Sequence, residues 1–190
     1  MEAKYQSSRT SPKIPGFEWQ EAESKMDRDI FRDILTTGRS ILAVAPDEKH
    51  PRVTCDFAYS LGFYLNLVHP ELLIMGLPSD SSGQLLNLLF AQVEAGEHYF
   101  EDQPLTYDFG LGETKLVPKF VPQERYGDFL GYGCWFYRSL RWNVRPVAEH
   151  KFPVLQLFWP DAAGYYPWQP VCDPQVRKMQ TLEEPREKRK

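Results

Sequence analysis

The chain has 190 residues, enough for one substantial domain, and 42% of them are hydrophobic, which supports a buried core. Its formal net charge of −4 argues against a protein that coats nucleic acid. The three cysteines, Cys55, Cys134 and Cys172, show no CxxC spacing, so we expect neither a disulfide scaffold nor a cysteine-rich zinc site. The chain shows no signal-peptide pattern and no apolar run of about 20 residues, so we expect a cytoplasmic protein outside the membrane.

The N-terminal part of the chain predicts an arm, a helix and two strands. Residues 1–22 are polar and predict a flexible N-terminal arm. Apolar residues recur at helical spacing from Lys25 to Thr37, and Gly38 can end that helix in a left-handed conformation. An apolar strand is predicted for residues 40–45. In residues 53–63 large apolar side chains alternate with smaller ones, which predicts the next strand.

Two further apolar segments and a helix follow. Residues 63–68 form a second strand-like run, and residues 72–77 are apolar on both faces, which predicts a strand inside the sheet. A helix is predicted after Pro78, because Ser81 and Gln84 have the spacing of a capping box and an apolar stripe follows them.

The C-terminal half contains three predicted strands and one ambiguous segment. Strands are predicted at residues 107–109 and 115–121, and a strong one at residues 152–159. Residues 123–140 suit a helix face but contain three glycines; we favour helix over strand there. Residues 177–190 are charged and predict a flexible tail.

These elements together predict the fold class. Strands come in pairs separated by helices, without regular βαβ alternation. We therefore expect one compact α+β domain over residues 23–176, with an antiparallel or mixed sheet and two or three helices packed on it.

His69 and Glu71 are the first candidates for chemistry. Residues two apart in an extended segment point to the same side, so an imidazole and a carboxylate could share a face here. Such a pair can serve as acid and base or as metal ligands. The structural alternative is a strand entry, in which His69 bonds a backbone carbonyl and Glu71 faces water. A metal site would need a third ligand, for which His98 and Asp161 are arbitrary choices, so we predict no metal site.

Several other residues could border a cleft near His69. Tyr59 and Ser60 precede it on a strand, and a Ser60–His69–acid arrangement can be imagined, although no nucleophile elbow surrounds Ser60. An amide inside an apolar strand, Gln156, needs a hydrogen-bonding partner. Trp168 is either an aromatic wall of a pocket or packed at the edge of the core. For Asp161 we favour turn chemistry.

A basic aromatic segment follows Trp135. Arg138, Arg141 and Arg145 are interleaved with aromatic residues, a pattern that can bind phosphate and stack on bases. We favour the alternative in which the arginine stems cover apolar surface. Binding of a nucleotide or RNA is therefore the weakest functional interpretation.

Four sequence blocks resemble one protein family. In order along the chain they are residues 57–62, residues 69–77, residues 93–96 and residues 154–168. Together they resemble DUF4262, a family of small, mostly bacterial domains without an established activity, over about residues 25–176. The resemblance implies a single cytosolic domain and transfers no catalytic role.

The sequence therefore predicts a small cytosolic binding, regulatory or accessory protein, by analogy of the immunity type. It would recognise a partner protein or small ligand at a cleft formed by Tyr59, His69, Glu71, Gln156 and Trp168. The alternative is a hydrolase that uses His69 and Glu71. No motif identifies a cofactor, a membrane partner is not expected and nucleic acid is disfavoured, while the oligomeric state leaves no trace in the sequence.

Overall fold

Six strands form one mixed sheet at the centre of the computed structural model, which describes residues 13–46, 55–110, 112–140 and 152–180. The order across the sheet is β1-β2-β3-β6-β5-β4, and β3 and β6 are the parallel pair. Every other neighbouring pair is antiparallel. The strands are β1 (Ser40–Val44), β2 (Phe57–Leu61), β3 (Glu71–Met75), β4 (Leu105–Asp108), β5 (Glu113–Phe120) and β6 (Val154–Phe158).

Six α-helices and a 3-10 turn surround the sheet in the described part of the chain, which confirms the predicted α+β class. Two of the helices are long, and the other four are seven residues or shorter. The helices are α1 (Lys25–Thr37), α2 (Phe63–Leu67), α3 (Ser79–Glu94), α4 (Tyr126–Phe129), α5 (Gly131–Phe136) and α6 (Pro174–Gln180), and the 3-10 turn is Gln123–Arg125.

Successive side chains along each strand point to opposite faces of the sheet, so the core has two parts, one on each face. On β3, Leu72 and Ile74 face the apolar stripe of α3. Leu73 and Met75 face the opposite core, to which α1, α4 and α5 contribute. β3 is therefore buried on both faces, as its uninterrupted apolar sequence predicts.

Local signals place α1 as predicted. The Ser24 side chain accepts a hydrogen bond from the Asp27 amide, and the Asp27 carboxylate accepts one from the Ser24 amide, which closes a capping box. Gly38 ends the helix with φ of +84°. Burial of Ile30 and Ile34, at 1% and 0% exposure, holds its apolar face on the core.

The structure corrects two local predictions and agrees with a third. Residues 63–68 do not continue as a strand, because Phe63–Leu67 form α2. α3 begins at Ser79 after Pro78, so Ser81 is inside the helix rather than its cap. Residues 123–140 are mainly helical, in agreement with the preferred interpretation.

The N-terminal residues that the structure describes contact the domain. The Lys13 amide donates a hydrogen bond to the Leu65 carbonyl at 3.0 Å. Ile14 is 7% exposed, and Phe17 packs on Phe136. At the other end, α6 continues through Gln180, and the rest of the predicted tail is outside the described residues. No helix in the described segments has both the length and the apolar character to cross a membrane.

The turn at Gly62 makes a test of the fold. Gly62 has φ of +113°, and a Cβ there would be 2.4 Å from the Gly38 carbonyl oxygen, a backbone atom that cannot rotate away. We expect Gly62→Ala to lower the free energy of unfolding by more than about 2 kcal/mol in urea titrations. The matched control is Gly83→Ala in α3, where a Cβ meets no atom within 4 Å. It should raise stability by about 1 kcal/mol. Equal effects of the two substitutions would contradict this account.

Candidate functional site

One fully buried carboxyl group, that of Glu71, lies at the start of β3 and is 1% exposed. Its Oε1 atom accepts hydrogen bonds from the backbone amides of Gly62 and Tyr64, at 2.8 and 3.1 Å. Its Oε2 atom accepts a hydrogen bond from the Ser60 hydroxyl at 2.5 Å. The Tyr137 hydroxyl donates to Oε1 as well. Donors from β2, from the start of α2 and from the end of α5 therefore converge on one carboxyl.

The turn between β2 and α2 explains why two backbone amides point at this carboxyl. The first amides of a helix have no acceptor within the helix. Glu71 provides that acceptor for Gly62, the N-cap of α2, and for Tyr64 in its first turn. The Ser60 hydroxyl also accepts a hydrogen bond from the Leu72 amide at 2.9 Å. This bond extends the contact between β2 and β3 beyond their last backbone pair, Tyr59 with Leu73.

Burial raises the pKa of Glu71 to about 7, although the hydrogen bonds from Ser60, Tyr137 and the two amides act in the opposite direction. Burial, followed by the neighbouring Glu71 charge, raises the pKa of Tyr137 well above its usual value. Tyr137 thus keeps its proton, and Glu71 is the member of the pair that titrates near neutrality. Such a pKa suits acid–base chemistry, but a carboxyl that is 1% exposed is not presented to a substrate.

His69, between α2 and β3, is buried as well, at 1% exposure. The Tyr99 amide donates a hydrogen bond to its Nε2 atom at 3.1 Å. Because Nε2 accepts, the proton is assigned to Nδ1, which donates to the Pro70 carbonyl at 2.7 Å. Burial lowers the pKa of His69, so the ring is neutral at pH 7. Both ring nitrogens are used within the protein.

His69 and Glu71 are only two positions apart in the chain, but their side chains contact different surroundings. Glu71 bonds Tyr137, which belongs to the core on the α5 side of the sheet. His69 packs against Phe63, which belongs to the core on the α3 side, and its ring stacks on His98 at 6.1 Å. No hydrogen bond joins the two side chains among the described residues. The bond from His69 to a carbonyl fits the structural alternative, whereas Glu71 is buried instead of facing water.

The other strand candidates are also buried and engaged. Tyr59 is 2% exposed, and burial raises the pKa of its hydroxyl. The Ser60 hydroxyl bonds Glu71 and the Leu72 amide, and not His69. Gln156 is 1% exposed and donates through Nε2 to the Gln180 carbonyl at 2.5 Å, which ties β6 to α6.

Trp168 is exposed, at 47%. It stacks on Tyr166 with 4.9 Å between ring centroids, and the Lys119 ammonium group is 4.8 Å from its ring. Asp161 accepts backbone hydrogen bonds in the preceding turn, as its predicted turn chemistry requires. The predicted ligand-binding residues therefore do not share one open surface, since Tyr59, His69, Glu71 and Gln156 are at most 2% exposed.

The remaining predictions concern anions and metals. Arg138 is exposed, whereas Arg141 and Arg145 are outside the described residues. In the described part of the chain, no three His, Cys, Asp or Glu residues are grouped so that they could hold a metal ion.

A cleft that the sequence analysis did not identify lies beside α1 and has a volume of about 430 Å³. We refer to it as the α1 cleft; its lining residues are Trp19, Gln20, Ala22, Arg28, Phe31, Arg32 and Leu35. The sequence carried a partial signal, because Trp19 and Phe17 are large aromatic residues within the N-terminal segment that was predicted to be a polar arm. Its partner Phe31, on α1, is 5.0 Å away between ring centroids, a tertiary contact that periodicity does not reveal.

The buried carboxyl predicts a pH dependence of stability. The pKa of Glu71 is about 7 in the fold against 4.5 as the ordinary value. Its contribution is therefore complete below pH 4.5 and is lost as pH rises through 7, a loss of about 3 kcal/mol. Glu71→Gln cannot ionise, so the variant should gain stability relative to the wild type across this interval, as measured by urea unfolding at a series of pH values.

The test compares the free energy of unfolding of Glu71→Gln with that of the wild type at each pH. His69, whose pKa is lowered, contributes stability that is lost as pH falls, which opposes the Glu71 trend in the wild-type curve alone. Glu124→Gln, at an exposed position, makes the same charge change, and its difference curve is the baseline for comparison. A Glu71→Gln curve that follows this baseline would contradict a raised pKa for Glu71.

Comparison with known proteins relates this fold to one family. No curated protein and no solved structure is significantly similar to the chain. A family described as "Domain of unknown function (DUF4262)" matches residues 33–173, which contain all six strands, Glu71 and Tyr137. The match agrees with the resemblance of the four sequence blocks and covers most of the chain. The chain therefore belongs to the DUF4262 family.

Proposed function

We propose that this protein is a small cytosolic binding or regulatory protein that holds an anionic ligand with an apolar body in the α1 cleft. The observation that carries the proposal is the cleft itself, whose volume of about 430 Å³ suits a small molecule or a few side chains of a partner. The three cysteines are free thiols, which is typical of a reducing compartment.

Aromatic and aliphatic side chains form the apolar part of the cleft. Trp19 packs edge-on against Phe31, and Phe31 stacks on Trp135 with 5.4 Å between centroids and 15° between planes. Because both lining rings are held by further rings, their positions are preorganised. Leu35 adds an aliphatic surface to the lining. An apolar group can therefore bind without first ordering these side chains.

Two guanidinium groups supply the charge. Arg32 is paired with Asp29 and Asp33, at 2.7 and 3.1 Å, so its charge is partly balanced. Arg28 lines the same cleft; its charge interacts with the neighbouring Asp27 carboxylate, but its side chain makes no hydrogen bond or close ion pair with any residue that the structure describes. An anionic group of the ligand would give Arg28 a charge-assisted hydrogen bond.

The alternative of a hydrolase has less support. Catalysis by His69 and Glu71 requires that both reach a substrate and converge with a third polar group. Each is 1% exposed, and their hydrogen bonds go to different partners. Water and substrate would need a large opening of the domain to reach either group.

The proposal predicts binding of 8-anilinonaphthalene-1-sulfonate, a probe that combines an apolar ring system with one negative charge. We expect one saturable site in a fluorescence titration. Replacing Arg28 by Gln should weaken the affinity about tenfold, because the charge-assisted hydrogen bond is lost. Added salt should weaken binding to the wild type more than binding to the variant.

The matched control is Arg138→Gln, which removes an exposed arginine that does not line the cleft. It should leave the affinity unchanged. Thermal unfolding of each variant separates binding to the folded cleft from dye bound by a loosened core. Equal affinities of the wild type and both variants would exclude the α1 cleft as the site.

A further inference from the structure

Residues 13–20, which we call the arm segment, lie along a groove on the family domain. The groove, called the arm groove below, is formed by Leu65, Phe136, Tyr137 and Ser139. At one end the Lys13 amide donates to the Leu65 carbonyl at 3.0 Å. At the other end, the Glu18 amide donates to the Ser139 hydroxyl at 2.9 Å, and this hydroxyl donates to the Glu18 carbonyl at 2.8 Å.

Apolar side chains of the arm segment fill the groove between these backbone contacts. Ile14 is 7% exposed and belongs to the core cluster. Phe17 is 5.0 Å from the Phe136 ring and 6.1 Å from the Tyr137 ring. Residues 14–17 form a turn, in which the Phe17 amide donates to the Ile14 carbonyl at 3.4 Å and Gly16 has φ of +81°. Hydrogen bonds to the backbone at the ends of a segment, with side-chain pockets between them, are how binding domains hold peptides from a partner. The arm segment is thus bound as a peptide ligand would be.

The groove and its occupant belong to different parts of the chain. The family match begins at residue 33, so all four groove residues are inside it and the arm segment is outside it. The floor of the groove is fixed independently of the arm, since the Tyr137 hydroxyl is held by Glu71. Removal of the arm segment would therefore leave a formed, apolar groove with a free hydroxyl at Ser139.

We infer that the arm groove is a recognition site for a linear segment of a partner protein, and that the arm segment occupies it until such a partner displaces it. The occupant defines the chemistry of the partner: an aliphatic residue, a turn made by Pro15 and Gly16, then two aromatic residues flanking an acidic one. This site adjoins the α1 cleft, because Trp19 contacts Phe136 in the groove and Phe31 in the cleft, and the Phe31 ring is itself 6.2 Å from the Phe136 ring.

Competition between the tethered arm and a free segment tests this inference. The probe is a fluorescent peptide with the sequence of residues 13–22, and the readout is anisotropy with the full chain. In the double variant Ile14→Asp, Phe17→Ala the arm should leave the groove, and neither residue lines the α1 cleft. This variant should bind the peptide about tenfold or more tightly than the wild type, whose own arm competes at high effective concentration.

Two controls identify the groove as the binding surface. A peptide in which the residues corresponding to Phe17 and Trp19 are alanine should not bind. Adding Ser139→Ala to the double variant should weaken binding of the unchanged peptide several-fold, because both hydrogen bonds to residue 18 are lost. Glu21→Ala, at an exposed position beside the arm segment, should behave as the wild type does. A folded double variant that binds no better than the wild type would overturn the inference.

A second experiment decides the matter if the double variant does not fold. A specific protease site is introduced after Ala22 in the otherwise unchanged chain, and the folded protein is cleaved there. The inference requires that the cleaved arm stays bound and exchanges with an excess of the fluorescent peptide. Loss of the arm on gel filtration, with no binding of added peptide, would overturn it. Binding of the anionic dye is measured separately, with uncleaved wild-type and Arg28→Gln protein. The proposal of a ligand in the α1 cleft and the proposal of a partner segment in the arm groove can therefore fail independently.

Discussion

Placement of the Glu71 carboxyl in the protein interior is the constraint on which the surrounding structure depends. A buried carboxyl without partners costs several kcal/mol, and here donors from three segments offset that cost. The same bonds fix the left-handed turn at Gly62, provide an acceptor at the start of α2 and hold Tyr137 against the sheet. Tyr137 in turn forms the floor on which the arm segment packs. The Glu71 side chain thus links the sheet to the arm groove through Tyr137.

Local patterns in the sequence were sufficient for the elements whose causes are local. α1 follows from helical spacing and from Gly38, and β3 follows from an apolar run that is buried on both faces. The strand-like pattern of residues 63–68 predicts the wrong element, because the α2 helix that forms there depends on Glu71, whose carboxylate accepts hydrogen bonds from its first amides across from the next strand. The predicted pair of His69 and Glu71 rested on an extended backbone; instead the two side chains bond different partners. Tyr137 and the α1 cleft arise from contacts between distant segments, which spacing along the chain cannot express.

The two proposed binding surfaces are physically connected through aromatic contacts, since Phe31 of the α1 cleft also contacts Phe136. Trp19 lines the α1 cleft and contacts Phe136 in the arm groove. A ligand in the cleft would favour the docked arm, and a partner segment that displaces the arm would remove a wall of the cleft; by linkage these effects are reciprocal. Most of the cleft residues precede residue 33, where the family match begins.

The parallel pairing of β3 with β6 has a consequence for how the protein is made. Glu71 pairs with Val154, and the intervening chain contains α3, β4, β5, α4 and α5. During synthesis on the ribosome, β3 therefore emerges with its inner edge bare long before its neighbour exists. That edge belongs to a strand of entirely buried residues, the kind that pairs with other chains when exposed. The sheet can be completed only after β6, in the last quarter of the chain, has been synthesised. Until then the nascent protein needs protection at this edge. The folding rate should reflect closure of the long connection between β3 and β6.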